Sequence, residues 1–352
     1  MTKKIDTRYL FRLTDDTGMF QHAVFGIPDP SEGYTADDNA RASILAAMLY
    51  ERSPESKYEE LLIRCLSFLI YAEKGRWFRN FMSYSHRFLE KRGSEDSFGR
   101  CLFALGYLTS RSRLPAYIRA CAEKLLRRTY TGCSSLTFPK SKAYALVGLT
   151  LWNQTESRPQ LTMLRDSLAD TYLQVRREDW HWFEEKMTYC SGIFPLAILC
   201  AFSDERIQAE IGLESLDFLT ETTFRGNIFS PIGCKGWFER GGTPARYDQQ
   251  PVEACSTMLA LLKAFQLTGN ENYQKRAQQC FQWYLGGNAQ HLLMIDTETG
   301  GCRDGLTEHG PNENEGAESL VCWLISALTA EKQGWLSKPG TAAPSAGTVV
   351  WL

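Results

Sequence analysis

The stretch Gly33-Tyr34-Thr35-Ala36-Asp37-Asp38-Asn39-Ala40-Arg41-Ala42-Ser43-Ile44-Leu45-Ala46-Ala47-Met48-Leu49 opens with polar, charge-bearing residues and then loses its polar face. From about Asp38 to Leu49 the side chains are apolar or small nearly all round, and such a helix must be buried on every side. The pattern recurs five times, from about Asp96 to Leu108, Pro139 to Trp152, Ser191 to Phe202, Gln250 to Phe265 and Glu315 to Thr329. The Ala, Gly, Ser and Cys in these segments permit close approach of helix backbones.

Between the enclosed segments lie helices with a single apolar stripe and one wet face. Leu61, Leu62, Cys65, Leu66 and Leu69 form one stripe, and Ile118, Cys121 and Leu125 another. Leu161, Leu164 and Leu168 follow, then Ile207, Ile211 and Phe218, then Tyr273, Ala277, Cys280, Phe281 and Tyr284. Period-2 strand runs are nearly missing. The alternation predicts an all-α, single-domain (α/α)6 toroid over residues 1–333, six enclosed helices ringed by outer ones. An open solenoid would keep a near-constant repeat of roughly 33 to 47 residues, whereas these spacings are uneven. Residues 334–352, with Pro339, Gly340, Pro344 and Gly347, read as a flexible C-terminal tail.

Composition narrows the partners. In 352 residues, 39 Lys and Arg face 41 Asp and Glu, for a net charge of -2. That balance argues against nucleic acid and against anionic membrane surfaces, both of which select basic proteins. Eleven cysteines show no C-x-x-C, and most sit in apolar stretches. They read as buried reduced thiols, which suits the cytoplasm. Met1 to Arg8 carries charge with no apolar stretch behind it, so no secretory signal is expected. The longest uncharged run, near Tyr189 to Phe202, is too short to span a bilayer.

Chemistry collects at the starts of the enclosed helices. The first cluster holds Tyr34, Asp37, Asp38 and Arg41, and the second Glu95, Asp96 and Arg100. Lys140 and Lys142 open the third, either reaching the cavity or solvated, with solvation the favoured reading. Trp180, Trp182, Glu184 and Tyr189 precede the fourth. Asp248, Gln249, Gln250 and Glu253 open the fifth, and Arg303, Asp304, Asn314 and Glu315 the sixth. In a toroid the inner helices point the same way, so these clusters would converge on one mouth. A cavity rimmed by carboxylates and by Trp180, Trp182 and Trp237 suits carbohydrate: rings stack on sugar faces, and paired carboxyls handle the glycosidic bond. The plain alternative is that each Asp, Ser or Asn merely caps its own helix. Six caps sharing Arg, Gln and Trp neighbours go beyond what capping needs.

Metal and cofactor readings find little support. Asp37-Asp38 resembles the start of a D-D-x-x-D magnesium motif, but the fifth position is the cation Arg41. The histidines His22, His86, His181, His291 and His309 lack metal spacing, and no Walker A or G-x-G-x-x-G occurs. No cofactor and no metal is expected. His22, beside Gln21, is either a sugar ligand, an acid/base group or structural.

The segments from Leu13 to Ala23, Gly33 to Arg41, Ser94 to Asp96, Trp180 to Glu184, Asp248 to Glu253 and Gly300 to Leu306 together resemble a bacterial glycosyltransferase-associated family. That family is similar to the six-hairpin glycosidases, and its members stand alone or follow a glycosyltransferase. The resemblance implies the (α/α)6 fold, a glycan ligand and a glycosyltransferase partner. It also implies a Tyr-Asp-Asn-Ala-Arg-Leu-Pro type sequence at the fourth rim position, where this chain has Tyr189-Cys190-Ser191-Gly192-Ile193-Phe194-Pro195.

The expected activity is cofactor-independent glycoside hydrolysis of an oligosaccharide. Asp38, Asp96, Glu184 and Asp248 are the catalytic candidates, Glu184 suiting the acid and Asp96 or Asp248 the base. Substrate-binding candidates are Gln21, His22, Tyr34, Asp37, Arg41, Glu95, Arg100, Trp182, Tyr189, Trp237, Gln249, Gln250, Glu253, Arg303, Asp304, Asn314 and Glu315. Two alternatives stand beside it. One is a non-catalytic glycan-holding module; the other is a sugar epimerase or isomerase, which would want two cavity histidines, His22 with His181.

Overall fold

The computed structural model describes residues 5–201 and 206–336. Its helices run α1 (Arg8–Arg12), α2 (Ala36–Arg52), α3 (Ser56–Ala72), α4 (Glu95–Ser110), α5 (Ala116–Thr129) and α6 (Pro139–Trp152). They continue with α7 (Arg158–Val175), α8 (Ile193–Ala201), α9 (Arg206–Thr223), α10 (Pro251–Thr268), α11 (Glu271–Tyr284) and α12 (Ala317–Lys332).

The even-numbered helices are the enclosed ones. In α6, for example, Ala143, Tyr144, Ala145, Leu146, Val147, Gly148 and Leu149 are buried consecutively. The odd-numbered helices bury one face, as α5 does through Ile118, Ala122, Leu125, Leu126 and Thr129. Each even helix packs on the next, α12 packs back on α2, and α3, α5, α7, α9 and α11 lie on their preceding partners. The ring is closed. The chain therefore folds as an (α/α)6 toroid, and an open solenoid is excluded.

The sixth outer place is taken by the short α1, which the sequence pattern did not announce. Phe11 packs on Tyr58 of α3, and the Tyr9 hydroxyl donates to the Glu315 carbonyl just ahead of α12. The closing seam between α2 and α12 carries ion pairs at both ends. Arg41 meets Glu318 at 2.8 Å near the helix starts, and Arg52 meets Glu331 at 2.6 Å near their ends.

Helix boundaries follow local chemistry. Thr35 caps α2 by accepting from the Asp38 amide at 2.9 Å, and Ser94 caps α4 through the Ser97 amide at 3.1 Å. Pro139 and Pro251 open α6 and α10, where a missing N–H does no harm. Gly269 ends α10 in the left-handed region at φ 69°. Glycine also sets a helix spacing: a Cβ at Gly106 of α4 would stand 2.0 Å from the Gly148 carbonyl of α6.

Connections differ sharply at the two ends of the ring. Residues 53–55, 111–115, 153–157 and 269–270 make short links at one end, while 73–94, 176–192, 224–250 and 285–316 make long loops at the other. The long loops are laced by two-residue antiparallel pairs such as Thr35↔Phe81 and Met187↔Phe238, and by the bridge Gln249↔Leu306. These pairings fix the loops over the starts of the inner helices.

All eleven cysteines are free thiols, and all but Cys121 and Cys234 are buried. No helix among the described residues is long and apolar enough to cross a membrane. Of the expected tail, residues 337–352 lie outside the described residues, as does Phe202 of the fourth enclosed helix. The tail's first part docks: the Trp335 amide donates to the Ala330 carbonyl at 2.9 Å and its ring approaches Phe281.

Candidate functional site

Where α2 and α12 begin side by side, the long loops leave a cavity of about 320 Å³. Asp37, Asp38 and Arg41 come to it from α2, Glu318 and Ser319 from α12, and Gln250 from the cap of α10. Gln21, His22, Asn80, Phe81 and Asp304 come from the loops. Arg41 organises the floor. Its guanidinium reaches Asp37 at 2.8 Å, Asp38 at 3.0 Å and Glu318 at 2.8 Å, and the Nε of Arg100 approaches Asp37 at 3.3 Å. Asp38 also accepts from the Thr35 hydroxyl at 2.6 Å. Burial pushes the Asp38 carboxyl up to about 6 despite the pull of Arg41. Burial alone would weaken Arg41 and Arg100 as cations, but the carboxylates around them outweigh it and hold both firmly protonated.

Asp304 ties the sixth loop to the same wall. It accepts from the Gly316 amide and the Ser319 hydroxyl, each at 2.7 Å, and burial raises its pKa. His22 is exposed at the cavity edge, close enough to Asp304 to affect its charge. Gln21 lines the cavity and accepts from the Ala317 amide at 3.1 Å through its carbonyl.

A second polar group gathers at the starts of α4, α6 and α8. Asp96 accepts from the hydroxyls of Ser141 and Tyr189. Lys140, expected to be solvated, is only 4% exposed; it donates to Thr188 at 2.6 Å and stands 3.9 Å over the Tyr189 ring. Burial lowers the pKa of Lys140 and raises that of Glu184, whose charge Lys140 feels. Trp237 is the rim aromatic here, 6.3 Å from Tyr189 between ring centroids.

Glu253 fills the fourth rim position, where the sequence lacks the Asp, Asn and Arg that the family resemblance implies. Its carboxylate, on α10, accepts from the amides of Cys190 and of Ser191, the latter at 3.0 Å, so it holds the turn ahead of α8 from a neighbouring helix. Burial raises it to about 7. Gly192 makes room for this contact, since a Cβ there would stand 2.3 Å from the Ser256 backbone.

Several candidates serve elsewhere in the fold. Tyr34 is buried and donates to Asp15 at 2.6 Å. Glu95 accepts from the backbone of Thr137 and Phe138, latching the loop before α6. Trp180 and Trp182 are buried, Trp182 against Phe183 and Phe194, so neither rims the mouth. Gln249 bonds Ser230, the Arg246 carbonyl and Trp283. Arg303 and Glu315 brace their own loop, Arg303 meeting Asp296 at 2.7 Å and Glu315 at 3.2 Å, while Asn314 ties that loop to the chain's first loop by accepting from the Phe25 amide at 3.0 Å. Asp248 sits at φ 59° beside Cys234, away from the walls shared by Asp38 and Glu318. His181 pairs with Glu214 of α9 at 3.4 Å, in the outer layer, and so is separated from His22.

Among the cavity residues that escaped the sequence reading are Asn80, Phe81, Glu318 and Ser319. Glu318 follows the candidate Glu315 by three residues in a run that also holds Glu313, and no local feature marked it out. Asn80 accepts from the Asp37 amide at 3.1 Å and from Ser97 at 2.8 Å, joining the starts of α2 and α4. Its loop position gave no signal at all.

No family model matches the chain, and no curated protein matches it. The glycosyltransferase-associated resemblance has no support from those comparisons. Solved structures do match. A cellobiose 2-epimerase from Bacillus thermoamylovorans aligns at TM-score 0.71 with 11% identity, covering 91% of this chain and 95% of its own. A D-mannose isomerase aligns at TM-score 0.71 with 11% identity, over 92% and 95%. The GH76 α-mannanase of Bacteroides thetaiotaomicron aligns at TM-score 0.63 with 10% identity, over 92% and 93%. At such identities the likeness establishes the shared fold.

Proposed function

We propose that the chain is a carbohydrate-active enzyme that hydrolyses a glycosidic bond with two carboxyl groups and no cofactor. The observation that carries this reading is the Arg41 cluster: one guanidinium gathers Asp37, Asp38 and Glu318 on the floor of one cavity. Within it the carboxyls differ. Asp38 is buried and holds its proton to a higher pH, which suits a general acid. Glu318 has 34% of its side chain exposed and faces the same guanidinium, which suits the base or nucleophile. Asp37 and Glu318 bind the same Arg41 nitrogen at 2.8 Å each, so their oxygens lie within twice that distance. His22, Gln250 and Asp304 supply hydrogen-bonding groups for sugar hydroxyls.

The structural neighbours named as sugar epimerase, isomerase and mannanase support a sugar ligand without choosing the reaction. The epimerase alternative fits the neighbours equally well, though the pair His22 with His181 does not serve it, since His181 lies against Glu214 of α9. The free thiols agree with the expected cytoplasmic address. The test is a screen of oligosaccharides in deuterated water, comparing the chain with Asp38→Asn and Glu318→Gln. Hydrolysis lowered about a hundredfold or more in each variant is the expected result. Deuterium entering an unhydrolysed sugar would replace the proposal with an isomerase. Binding without turnover would replace it with the glycan-holding module that the glycosyltransferase-associated resemblance implies.

A further inference from the structure

The long loop 73–94 supplies Asn80 and Phe81 to the Arg41 cavity, and the Glu90 carboxylate accepts from the amides of both, at 2.6 and 3.0 Å. The next two residues, Lys91 and Arg92, are exposed and line a separate groove of about 480 Å³. Its other walls are the hairpin tip Lys74-Gly75-Arg76 and residues 131–135 ahead of α6. Glu90 thus ties the groove directly to the cavity wall.

Four cations and no carboxylate line this groove. Lys74, Arg76 and Lys91 are exposed and have no ion-pair partner among the described residues. Beyond Arg76 a second groove holds Arg127 and Arg128, but those are already paired, Arg128 with Glu73 and Arg127 with Glu123 and Glu156. The uncompensated charge is therefore concentrated in the first groove, in a chain whose net charge is -2.

The cations are also held in place. Arg92 lies 3.7 Å over the Trp77 ring and donates to Ser135 at 3.2 Å. Trp77 is itself buried, stacked on Phe98 at 3.9 Å and donating to the Gly93 carbonyl at 2.9 Å. Arg76 takes the second place of the two-residue hairpin turn at φ 70°, a left-handed position that favours Asn or Gly, so the backbone gives no reason for an arginine there. Gly132 lets this turn settle on the 131–135 segment, since a Cβ would stand 2.6 Å from the Arg76 carbonyl. Like charges fixed side by side repel one another, and an anion between them relieves the repulsion. The hydroxyls of Thr131 and Ser134 line the same groove, have no partner among the described residues, and can donate to that anion.

We propose that this groove binds the carboxylate or sulfate groups of a charged glycan, so that the sugar chain entering the Arg41 cavity is an acidic one. The glycan rests on the sugar reading above; the anion does not. Nucleic acid and anionic membranes select a broadly basic protein, which this chain is not.

The test is calorimetric titration of the full chain with polygalacturonate, dextran sulfate, uncharged dextran and a single-stranded DNA oligomer, beside the oligosaccharide hydrolysis screen. Polygalacturonate or dextran sulfate is expected to bind at least about tenfold more tightly than dextran, and to lose about tenfold in affinity between about 50 and 200 mM salt. Arg76→Asn, which suits the turn, and Lys91→Ala should each weaken that binding about threefold. Lys275→Ala, on the exposed face of α11, should leave it unchanged. Charged-glycan binding through Arg76 and Lys91 in a chain that hydrolyses no sugar would support the groove and count against the cavity chemistry. Hydrolysis of a neutral oligosaccharide, with charged glycans bound no more tightly than dextran, would overturn the groove and leave that chemistry standing. DNA binding as tightly as the charged glycans, or affinity unmoved by both groove variants, would also overturn the proposal.

Discussion

Arg41 and Glu318 meet at 2.8 Å across the seam where the last inner helix closes on the first. The same guanidinium holds Asp37 and Asp38, so ring closure and cavity floor depend on one side chain. Arg41→Ala strands three carboxylates around a buried vacancy and is expected to cost about 3 to 5 kcal/mol. Glu318→Gln removes a partly exposed partner and should cost about 1 kcal/mol or less. Urea melts of both variants check the ranking; equal losses would contradict it.

Buried carboxyls set a pH dependence. Glu253 titrates near 7 in the fold against an ordinary value of 4.5, and Asp38 near 6 against 3.8. A raised native value means that the unfolded chain loses its proton first. Each group therefore withdraws stability as pH rises from its ordinary value to its native one, and withdraws no more above that. Stability should fall between about pH 4 and 7 on this account. Glu253→Gln should flatten the upper part of that fall, which melts at half-unit pH steps would record.

Lys140 gives the opposite slope at high pH. Its native pKa lies below the ordinary 10.5, so burial penalises the fold while the amine is charged, and the penalty fades as pH climbs toward 10.5. Lys140→Met keeps the stem and removes the charge. Stability of this variant at pH 7 is expected to equal or exceed wild type by about 1 kcal/mol. A large loss would mean that the bond to Thr188 outweighs desolvation.

The spacing of α4 and α6 rests on absent side chains. Gly106→Ala would force a methyl against the Gly148 carbonyl, a backbone atom that cannot swing aside. A loss of about 1 to 3 kcal/mol in chemical denaturation is expected. Gly75→Ala offers a contrast: its Cβ would meet open space, but φ is 59°, so only backbone strain of about 1 kcal/mol remains.

The ring was legible because an inner helix cannot afford a wet face, and residues 38–49 or 139–152 show that without any partner in view. Polar residues do stand at the starts of several of those helices, as Asp37 and Asp38 on α2 and Glu95 and Asp96 on α4 show. What single clusters could not reveal was direction. Trp182 and Gln249 sit in polar or aromatic neighbourhoods in sequence, yet pack inward on Phe194 and Trp283. Lys140 looked like a solvated cation and lies beneath Tyr189 instead. The α1 turn has too few residues for a periodic signal, and Asn80 acts through backbone amides that no side-chain pattern foretells.

The short links at 53–55, 111–115, 153–157 and 269–270 lie at the opposite end of the ring from every cavity residue. That polarity offers a handle for practical use. A tether placed at Asn153-Gln154 or Gly269-Asn270 would fasten the molecule to a bead or electrode with its opening turned toward bulk solution.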